Sequence, residues 1–452
     1  MIEWKKVKIN FKTVKLGDFI EKINTRVVEV DDKKYRNVYG VTNIYGITKT
    51  GKIASKDISR YKIIDKNYIA YNPYRINVGS IGVNSSGKKG CVSPAYVVFR
   101  TKPTLDSNFL YLYLRSEFGN HLINWYGNKG GVRNSLKYKD LCNIDIPNFS
   151  LSKQNKFLVK INKIIGKIKL LNEQKDNQIV LLNQYKKAIL QEAVEGKLTA
   201  NWRKKHPELI SGENSAENLL KKIKIEKEQL IKEKKIKNQK SFSPISEEEK
   251  PFNIPDVWVY SRLGDLGFIN PRNYIDNDLE VSFIPMKLIS EKYGVSPDYE
   301  EKIWNEIKVG HTHFQNGDIA LAKITPCFEN SKCCIFRNLR NGYGAGTTEL
   351  YVLRLIRNIV NSEYVYLFLK TPRFLKKGES LMKGTVGQKR VPLNYFSESI
   401  IPFPSIPEQE VIVNRISKFM NIVDELEKQI NKRKEQTTQL IHSVLRETFE
   451  QK

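Results

Sequence analysis

Two short strings near the start of the 452-residue chain carry residue types that could do chemistry. Gly82–Lys89 (GVNSSGKK) is close to the phosphate-binding pattern GxxxxGK[ST], but a second Lys stands where Mg²⁺ needs a hydroxyl ligand. Tyr71–Tyr74 (YNPY) is similar to the Asn-Pro-Pro-Tyr string that holds a flipped adenine in amino-methyltransferases, but one Pro is missing. The sequence around these strings shows neither a nucleotide-binding frame nor a glycine-rich S-adenosylmethionine loop. We therefore predict a backbone-phosphate loop and a turn that presents Asn and Tyr.

A third group raises the question of zinc. His311, His313, Cys327, Cys333 and Cys334 lie close together in sequence. Structural zinc sites favour Cys pairs separated by two to four residues. Cys333 and Cys334 are adjacent instead, and on a strand their thiols would point to opposite faces. We predict buried strand cysteines and no metal site.

Loops rich in basic, aromatic and amide side chains occur in both halves of the chain. Arg and Lys suit guanine edges and phosphates, and Asn and Gln suit adenine edges. In the first half the candidate DNA-binding residues are Tyr71, Asn72, Tyr74, Arg75, Asn84, Lys88, Lys89, Arg133 and Asn134. In the second half they are Arg272, Asn273, Lys323, Thr325, Asn330, Lys332, Gln388, Lys389 and Arg390.

Composition agrees with a polyanionic partner. The formal net charge is +27, which favours nucleic acid first and an anionic membrane surface second. A hydrophobic content of 40% excludes disorder of the whole chain. No apolar run is long enough to cross a bilayer, the start lacks the apolar core of a signal peptide, and 5 Cys make no disulfide framework. We expect a soluble, cytoplasmic protein.

The elements that would position these loops occur twice. Leu16-Gly17-Asp18 recurs as Leu263-Gly264-Asp265, residues 93–100 parallel 347–354, and Ser107–Leu114 matches Ser362–Leu369. Ile146-Pro147 and Gln154 recur as Ile401-Pro402 and Gln409. Short β-branched runs and short apolar helices predict a mixed α/β domain of the same kind in each half.

Each α/β domain is followed by a stripe of apolar residues at alternating spacings of four and three, which predicts a long coiled-coil helix. The Ser405–Glu408 string predicts a capping box at the start of the second helix. The first stripe contains Phe157, Ile161, Ile164, Ile168, Leu171, Leu182, Tyr185 and Ile189, with polar Lys175 and Gln178. The second contains Ile412, Ile416, Phe419, Val423, Leu426, Ile430, Leu440 and Val444, with polar Arg433 and Thr437.

The predicted fold class is thus mixed α/β (α+β), with two similar domains separated by long antiparallel helices and related by a pseudo-two-fold repeat. We expect recognition domains at 1–150 and 246–405, a central helical region at 151–245, and a C-terminal coiled-coil helix at 406–452. Glu217–Lys240 reads as a further amphipathic helix, and Ser241–Pro255 as a linker.

Several strings resemble the specificity (S) subunits of type I restriction–modification systems. They are Asn183–Thr199 (NQYKKAILQEAVEGKLT) with Asn201-Trp202-Arg203, Ser215–Leu220, Pro251–Trp258 (PFNIPDVW), and Ile401–Pro404 running into Pro407-Glu408-Gln409. The resemblance covers essentially the whole chain. One departure is the first junction, Asp145–Gln154, which lacks the Pro-rich form of the second.

The resemblance implies a non-catalytic subunit that recognises double-stranded DNA in two halves. Its helices would set the spacer and dock two methyltransferase (M) subunits, and two restriction (R) subunits would complete the complex. S-adenosylmethionine, ATP and Mg²⁺ would be bound by those partners and no cofactor by this chain. Two alternatives stay open: a phosphate-loop-like NTPase or nuclease that uses Gly82–Lys89, and a basic coiled-coil scaffold.

Overall fold

The structure is a computed structural model that describes residues 11–30, 32–42, 46–49, 57–128, 135–233, 242–356, 358–385 and 387–449. These residues belong to two compact units. The first unit comprises residues 1–177 and 430–452, and the second comprises residues 178–429. Each unit therefore contains one α/β domain and parts of both long helices.

The elements of the first α/β domain are short. Along the described residues they are β1 (Thr13–Lys15), β2 (Ile20–Ile23), β3 (Tyr39–Thr42), β4 (Gly46–Lys49), β5 (Lys62–Ile64), β6 (Ile69–Tyr71), β7 (Ile81–Val83), β8 (Gly90–Val92), β9 (Val97–Thr101), α1 (Ser107–Arg115), α2 (Glu117–Gly127), α3 (Tyr138–Leu141) and β10 (Asp145–Pro147). The first long helix, α4 (Leu151–Val194), follows, and then α5 (Ala200–Lys205) and α6 (Ala216–Lys232).

The second α/β domain repeats this plan before the second long helix. Its elements are β11 (Val259–Arg262), β12 (Gly267–Ile269), β13 (Glu280–Ile284), β14 (Glu300–Ile303), α7 (Trp304–Ile307), β15 (Thr312–Gln315), β16 (Ile319–Ala322), β17 (Cys333–Ile335), β18 (Tyr343–Gly346), β19 (Leu350–Leu355), α8 (Ser362–Leu369), α9 (Pro372–Ser380), α10 (Leu393–Glu398) and β20 (Ile400–Phe403). The second long helix is α11 (Ile406–Phe449).

Sheet topology confirms the duplication. One antiparallel sheet has the strand order β2-β9-β6-β7 in the first unit and β12-β19-β16-β17 in the second. The other sheet of the second unit has the order β14-β13-β18-β15, with β13 and β18 parallel. In the first unit the corresponding strands pair as β3 with β4 and β5 with β8, and a parallel bridge joins Val38 to Cys91.

One glutamine in each unit fastens the start of a long helix to the domain before it. The side chains of Gln154 and Gln409 are buried, and each donates to the backbone carbonyl five residues earlier. The Gln154 amide oxygen accepts from the backbone N–H of Asp106 at 2.8 Å, and that of Gln409 from Asn361 at 2.9 Å. Asp106 and Asn361 are also the N-caps of α1 and α8, so the same buried contact orders both copies.

The helices pair in antiparallel fashion within each unit, but the buried stripe departs from the predicted one at some of its positions. Lys175 is buried and donates to the Arg433 carbonyl at 2.9 Å and to the Thr437 hydroxyl in the first unit. In the second unit, Lys186 bonds to Asp424 at 3.0 Å and pairs with Glu427.

Part of the predicted seam is therefore wrong. The buried residues that agree with the prediction are Phe157, Ile161, Ile168, Lys175, Ile412, Ile416, Val423, Ile430 and Thr437. Leu171, Tyr185, Leu426 and Leu440 are exposed, as are Gln178 and Arg433. Their places in the seam are taken by the residues that follow them, such as Lys186 and Glu427, which are half-buried.

Helix α11 begins at Ile406 as predicted, but the predicted capping box is wrong. The Glu408 carboxylate is buried and bonds to Thr199 and Trp258 instead of turning back to Ser405. The Ser405 hydroxyl oxygen is buried without a hydrogen-bond partner among the described residues. Helix α6 is present to Lys232, whereas the last part of the predicted Glu217–Lys240 helix lies outside the described residues.

None of the helices in the described part of the chain combines the length and apolarity that crossing a bilayer requires.

Candidate nucleic-acid interface

In the second unit, two loops that are distant in sequence come together. The first follows β16, and the second lies between α9 and α10. The backbone N–H of Thr325 donates to the Lys389 carbonyl at 3.0 Å, and the Lys389 N–H donates to the Thr325 hydroxyl at 3.1 Å. The Val391 N–H bonds to the Lys323 carbonyl at 2.9 Å. The structure therefore brings five predicted residues, Lys323, Thr325, Gln388, Lys389 and Arg390, into one cluster.

The side chains of this cluster are accessible. Gln388, Lys389 and Arg390 are exposed, and Lys323 is half-buried with its ammonium 5.2 Å from the centre of the Tyr351 ring. Arg390 bonds to both carboxylate oxygens of Glu349 at 2.7 and 2.9 Å. The Arg390 guanidinium holds the pKa of the Glu349 carboxyl below its usual value. The cluster thus presents cationic and amide groups around one fixed ion pair.

Two further predicted residues belong to the loop that follows β16. Asn330 is exposed. Lys332 is half-buried and donates to the Met286 carbonyl at 3.3 Å, so it supports the loop from inside. Only the first of these two side chains lies open to solvent.

Arg272 and Asn273 have different environments. Arg272 is exposed and donates to the His311 carbonyl at 3.2 Å. Asn273 is buried, donates to the Phe314 carbonyl at 2.8 Å and accepts from Arg354 at 2.9 Å. The geometry therefore assigns Asn273 a structural part, whereas Arg272 remains accessible.

The turn after β6 presents the predicted residues of the first unit. The Asn72 side-chain oxygen accepts from the Tyr74 N–H at 3.0 Å, which closes an Asx turn. Tyr74 and Arg75 are exposed on this turn, as expected for a loop that contacts a ligand. Tyr71 is fully buried, and its hydroxyl donates to the Leu136 carbonyl at 3.2 Å. Burial of Tyr71 argues against a DNA contact from its side chain.

The Gly82–Lys89 string includes the end of β7 and the turn that connects it to β8, a strand of another sheet. A phosphate-binding loop leads into a helix, but this string leads into a strand, which disfavours the NTPase alternative. Asn84 is buried and donates to the carbonyls of Asp65 and Lys88 at 3.0 and 2.8 Å, so it shapes the turn. Lys88 is exposed, and Lys89 pairs with Asp32 at 3.2 Å.

Arg133 and Asn134 lie outside the described residues. The described residues beside them repeat the anchor of the second unit. The Leu136 N–H donates to the Pro73 carbonyl at 3.0 Å, as Val391 does to Lys323. The Leu136 carbonyl accepts from Tyr71 on β6, and the Val391 carbonyl likewise accepts at 2.7 Å from a buried tyrosine, Tyr351 on the neighbouring strand β19.

Two of the three neighbouring cysteines lie buried on a strand as predicted, whereas Cys327 is half-buried in the loop after β16. Cys333 and Cys334 are buried on β17, and burial raises the pKa of the Cys333 thiol to about 12. Nearby, the His313 ring accepts from the Asn273 N–H at 3.1 Å and lies 2.8 Å from the Lys308 carbonyl. Within the described ranges, no group of three or more His, Cys, Asp and Glu could hold a metal ion.

Sequence reasoning missed two acidic residues. Glu349 escaped notice because a carboxylate does not suggest DNA binding, although the first copy has Ala95 at the same place in the repeat. Glu408 was assigned to a helix cap. Its carboxylate instead accepts from Thr199 at 2.6 Å, from Trp258 at 2.8 Å and from Arg203.

These contacts bring together three of the strings that carry the family resemblance. Thr199 ends the Asn183–Thr199 string, Trp258 ends Pro251–Trp258, and Glu408 follows Pro407 at the start of α11. The fully buried carboxylate therefore joins the end of the central region, the entry to the second domain and the second helix, all within the second unit.

The α/β domain is duplicated, and each copy has basic loops anchored beside one sheet and is followed by a paired long helix. This arrangement defines a two-domain nucleic-acid recognition protein. Comparison with known proteins gives the family. The family described as type I restriction modification DNA specificity domain matches residues 8–181 and 255–436. The chain belongs to this family, as a specificity (S) subunit with two copies of the domain.

Two relatives from Escherichia coli are similar over part of the chain. The type I restriction enzyme EcoAI specificity subunit is 47% identical over 265 residues, which are 58% of this chain and 44% of that protein. The EcoEI specificity subunit is 44% identical over 265 residues, 58% of this chain and 43% of that protein. The matched region thus spans less than half the length of these relatives.

Two solved structures share the fold. The HsdS subunit from Thermoanaerobacter tengcongensis has a TM-score of 0.54 at 13% identity, over 100% of both chains. A chain from work on complex assembly and conformational transition of the type I R-M system has a TM-score of 0.58 at 14% identity, over 98% of this chain and 99% of that chain. The predicted family and mixed α/β fold class are confirmed.

Proposed function

We propose that this chain selects the DNA target of a type I restriction–modification complex and that each α/β domain reads one half of a bipartite site. The observation that carries the proposal is the convergence of the two predicted loops in the second unit, where Thr325 and Lys389 bond to each other. The same anchor recurs beside the Asn72–Arg75 turn of the first unit. Phosphate contacts would position the protein, and base-edge contacts would choose the sequence.

The long helices are proposed to dock methyltransferase subunits. Tyr185 and Leu426, beside the seam in the second unit, are 65% and 41% exposed. Leu171 and Leu440 in the first unit are 46% and 50% exposed. Exposed apolar side chains along a helix favour a protein partner. Two M subunits would cover these faces and two R subunits would complete the complex in the cytoplasm.

The chemistry would belong to the partners. S-adenosylmethionine would be bound by the M subunits, and ATP and Mg²⁺ by the other subunits, whereas this chain would bind double-stranded DNA without a cofactor and would not bind a membrane. Helices α4 and α11 each contain 44 residues, which is about 66 Å of helix at 1.5 Å per residue. We propose that this length sets the spacer between the two half-sites.

Co-expression with the cognate methyltransferase subunit tests the proposal. Sequencing of modified adenines should reveal one bipartite motif with a fixed gap, which is absent without this chain. The purified chain alone should bind little sequence-specifically, because its exposed helix faces lack their partner. Equal binding of the complex to random and selected duplexes would support the basic scaffold instead, and ATP turnover by the purified chain would support the NTPase.

A further inference from the structure

The Arg390–Glu349 ion pair leaves one edge of the guanidinium open. Arg390 donates through Nε and Nη2 to the two carboxylate oxygens of Glu349 at 2.9 and 2.7 Å. Nη1 donates to the carbonyl of Gln388, two residues earlier, at 3.2 Å. Arginine has five N–H donors. The two that remain, one on Nη1 and one on Nη2, have no acceptor among the described residues, and the side chain is 45% exposed.

The backbone at Arg390 is fixed from two sides. Its N–H donates to the Lys383 carbonyl at 2.8 Å, and the Lys383 N–H donates back to the Arg390 carbonyl at 3.0 Å. Lys389 is bonded to Thr325 through both its N–H and its carbonyl. A guanidinium on a fixed backbone, held by a bidentate partner, loses little conformational freedom when it binds a further group.

The charge of the pair disfavours a phosphate ligand. Arg390 and Glu349 together carry no net charge, so the pair gains little from counterion release, which dominates phosphate binding. The Glu349 carboxylate would also repel a phosphate. A guanine edge is uncharged and offers two acceptors, O6 and N7, that match two parallel N–H donors. The open edge therefore suits a guanine better than the DNA backbone.

Comparison of the two copies of the domain indicates that folding does not require the Arg390–Glu349 pair. Ala95 takes the place of Glu349 in the first unit, and Ser135 precedes Leu136 as Arg390 precedes Val391. Leu136 and Val391 are nevertheless anchored by the same two kinds of hydrogen bond. The first unit thus forms the same anchor with Ala95 and Ser135 at the positions of Glu349 and Arg390, which indicates that the pair has a role outside folding in the second unit.

We propose that Arg390, oriented by Glu349, reads a guanine in the half-site of the second unit. The inference rests on the proposed function and assigns a specificity-determining part to two residues. Arg390 touches the base, and Glu349 acts as a positioning residue through Arg390. Ala95 and Ser135 stand at the corresponding positions of the first unit, so the inference concerns the half-site of the second unit.

The experiment uses the complex with its methyltransferase subunit. Once the motif of the unaltered complex has been sequenced, methylation is measured on duplexes in which each base pair of the motif is replaced in turn. Arg390→Lys keeps the charge but not the bidentate edge. It should lower discrimination at one guanine position by about 5- to 150-fold, the range for a bidentate contact, and leave every other position unchanged. Arg390→Ala should do the same.

The Glu349→Gln variant tests whether Glu349 orients Arg390 and neutralises its charge. It should weaken discrimination at the same guanine, and it should steepen the salt dependence of binding by up to about 0.9 in log–log slope, because a cation becomes available to phosphate. Glu280→Gln and Arg340→Lys are matched controls, since Arg340 and Glu280 form an exposed pair of the same kind at 2.7 Å in the same unit. The controls should leave the motif unaltered.

Three results would overturn the inference. If Arg390→Lys slows methylation equally on all duplexes, or if Arg390→Ala flattens the salt slope by about 0.9, Arg390 contacts a phosphate. The inference is also wrong if discrimination at no guanine of the motif depends on Arg390. If the unaltered complex shows no bipartite motif, the proposed function fails and this inference with it, before any variant is measured.

Discussion

Replacement of the buried carboxylate at Glu408 should destabilise the second unit. The carboxylate has no exposed surface and accepts from Thr199 at 2.6 Å and from Trp258 at 2.8 Å, and it pairs with Arg203, whose side chain is 13% exposed. Glu408→Gln keeps the shape but removes the charge and one acceptor oxygen. The guanidinium is then left almost buried without its counter-ion.

The expected cost can be derived from these contacts. Removal of one partner of a buried ion pair costs about 3–5 kcal/mol, because the remaining charge stays desolvated. Arg203 keeps its 2.6 Å bond to the Gly196 carbonyl, which offsets part of this loss. We therefore expect Glu408→Gln to lower the free energy of unfolding of the second unit by about 3 kcal/mol, the lower end of that range.

Urea denaturation followed by far-ultraviolet circular dichroism measures this change. The two units can unfold in separate transitions, so the midpoint and slope of each are fitted individually. Glu410→Gln is the matched control, because Glu410 is exposed two residues further along α11. It should change the unfolding free energy by less than about 0.5 kcal/mol. If Glu408→Gln shifts neither transition more than the control does, the reasoning on the buried carboxylate is wrong.

Three further predictions concern recognition, spacing and pH. Arg133→Ala should relax specificity in one half-site and Gln388→Ala in the other, by about 1–3 kcal/mol for each lost base contact, as read from methylation of half-site libraries. Seven residues inserted near Lys175, with seven near Ile430, keep the heptad register and add about 10.5 Å of helix. The preferred spacer should then lengthen by about two to three base pairs, with weaker binding because the duplex must twist. Burial lowers the pKa of His313, so the stability that its neutral form contributes is present above about pH 6.5 and is lost as the pH falls below that value. The loss should reach at most about 1.4 kcal/mol per pH unit in urea titrations, and His313→Gln should remove it.

Each of these predictions has an outcome that contradicts it. Loss of specificity spread evenly over both half-sites would mean that the altered side chains are structural or contact only phosphate. A doubled insertion that folds and still methylates only the original spacing would show that partner subunits set the gap. An unchanged pH dependence in His313→Gln would assign the acid sensitivity to other groups, and His311→Gln serves as its control.

Local sequence patterns determined the repeat and many of the strands and helices of this protein. Several recurring strings, among them Leu16-Gly17-Asp18 at residues 263–265 and Ser107–Leu114 at 362–369, together predicted two similar domains, because similar sequences adopt similar folds. The β-branched run that became β19 and the apolar run that became α8 needed only the residues within them. Burial of Cys333 and Cys334 followed from their place on a strand of such residues.

The phase of the coiled coil was decided by tertiary structure. Apolar residues at spacings of four and three fit two neighbouring stripes on one helix, and the sequence alone does not select between them. Lys175 belongs to both stripes, whereas pairing with α11 places Lys186 in the seam, where it bonds to Asp424 and pairs with Glu427. Leu171 and Tyr185 are left exposed as a consequence.

The hydrogen-bond partners of polar side chains likewise could not be predicted from the sequence. Asn84 resembles a DNA-binding amide by type and neighbourhood, but the fold places it inside a turn, with its amide donated to Asp65 and Lys88. Glu408 fits a capping box by spacing, yet its acceptors serve Thr199 and Trp258, far away along the chain. A hydrogen bond depends on where a partner lies in space, whereas a helix or strand depends chiefly on neighbours in sequence. For this reason the sequence determined the elements and the repeat, and the tertiary structure alone decided which polar residues face the solvent.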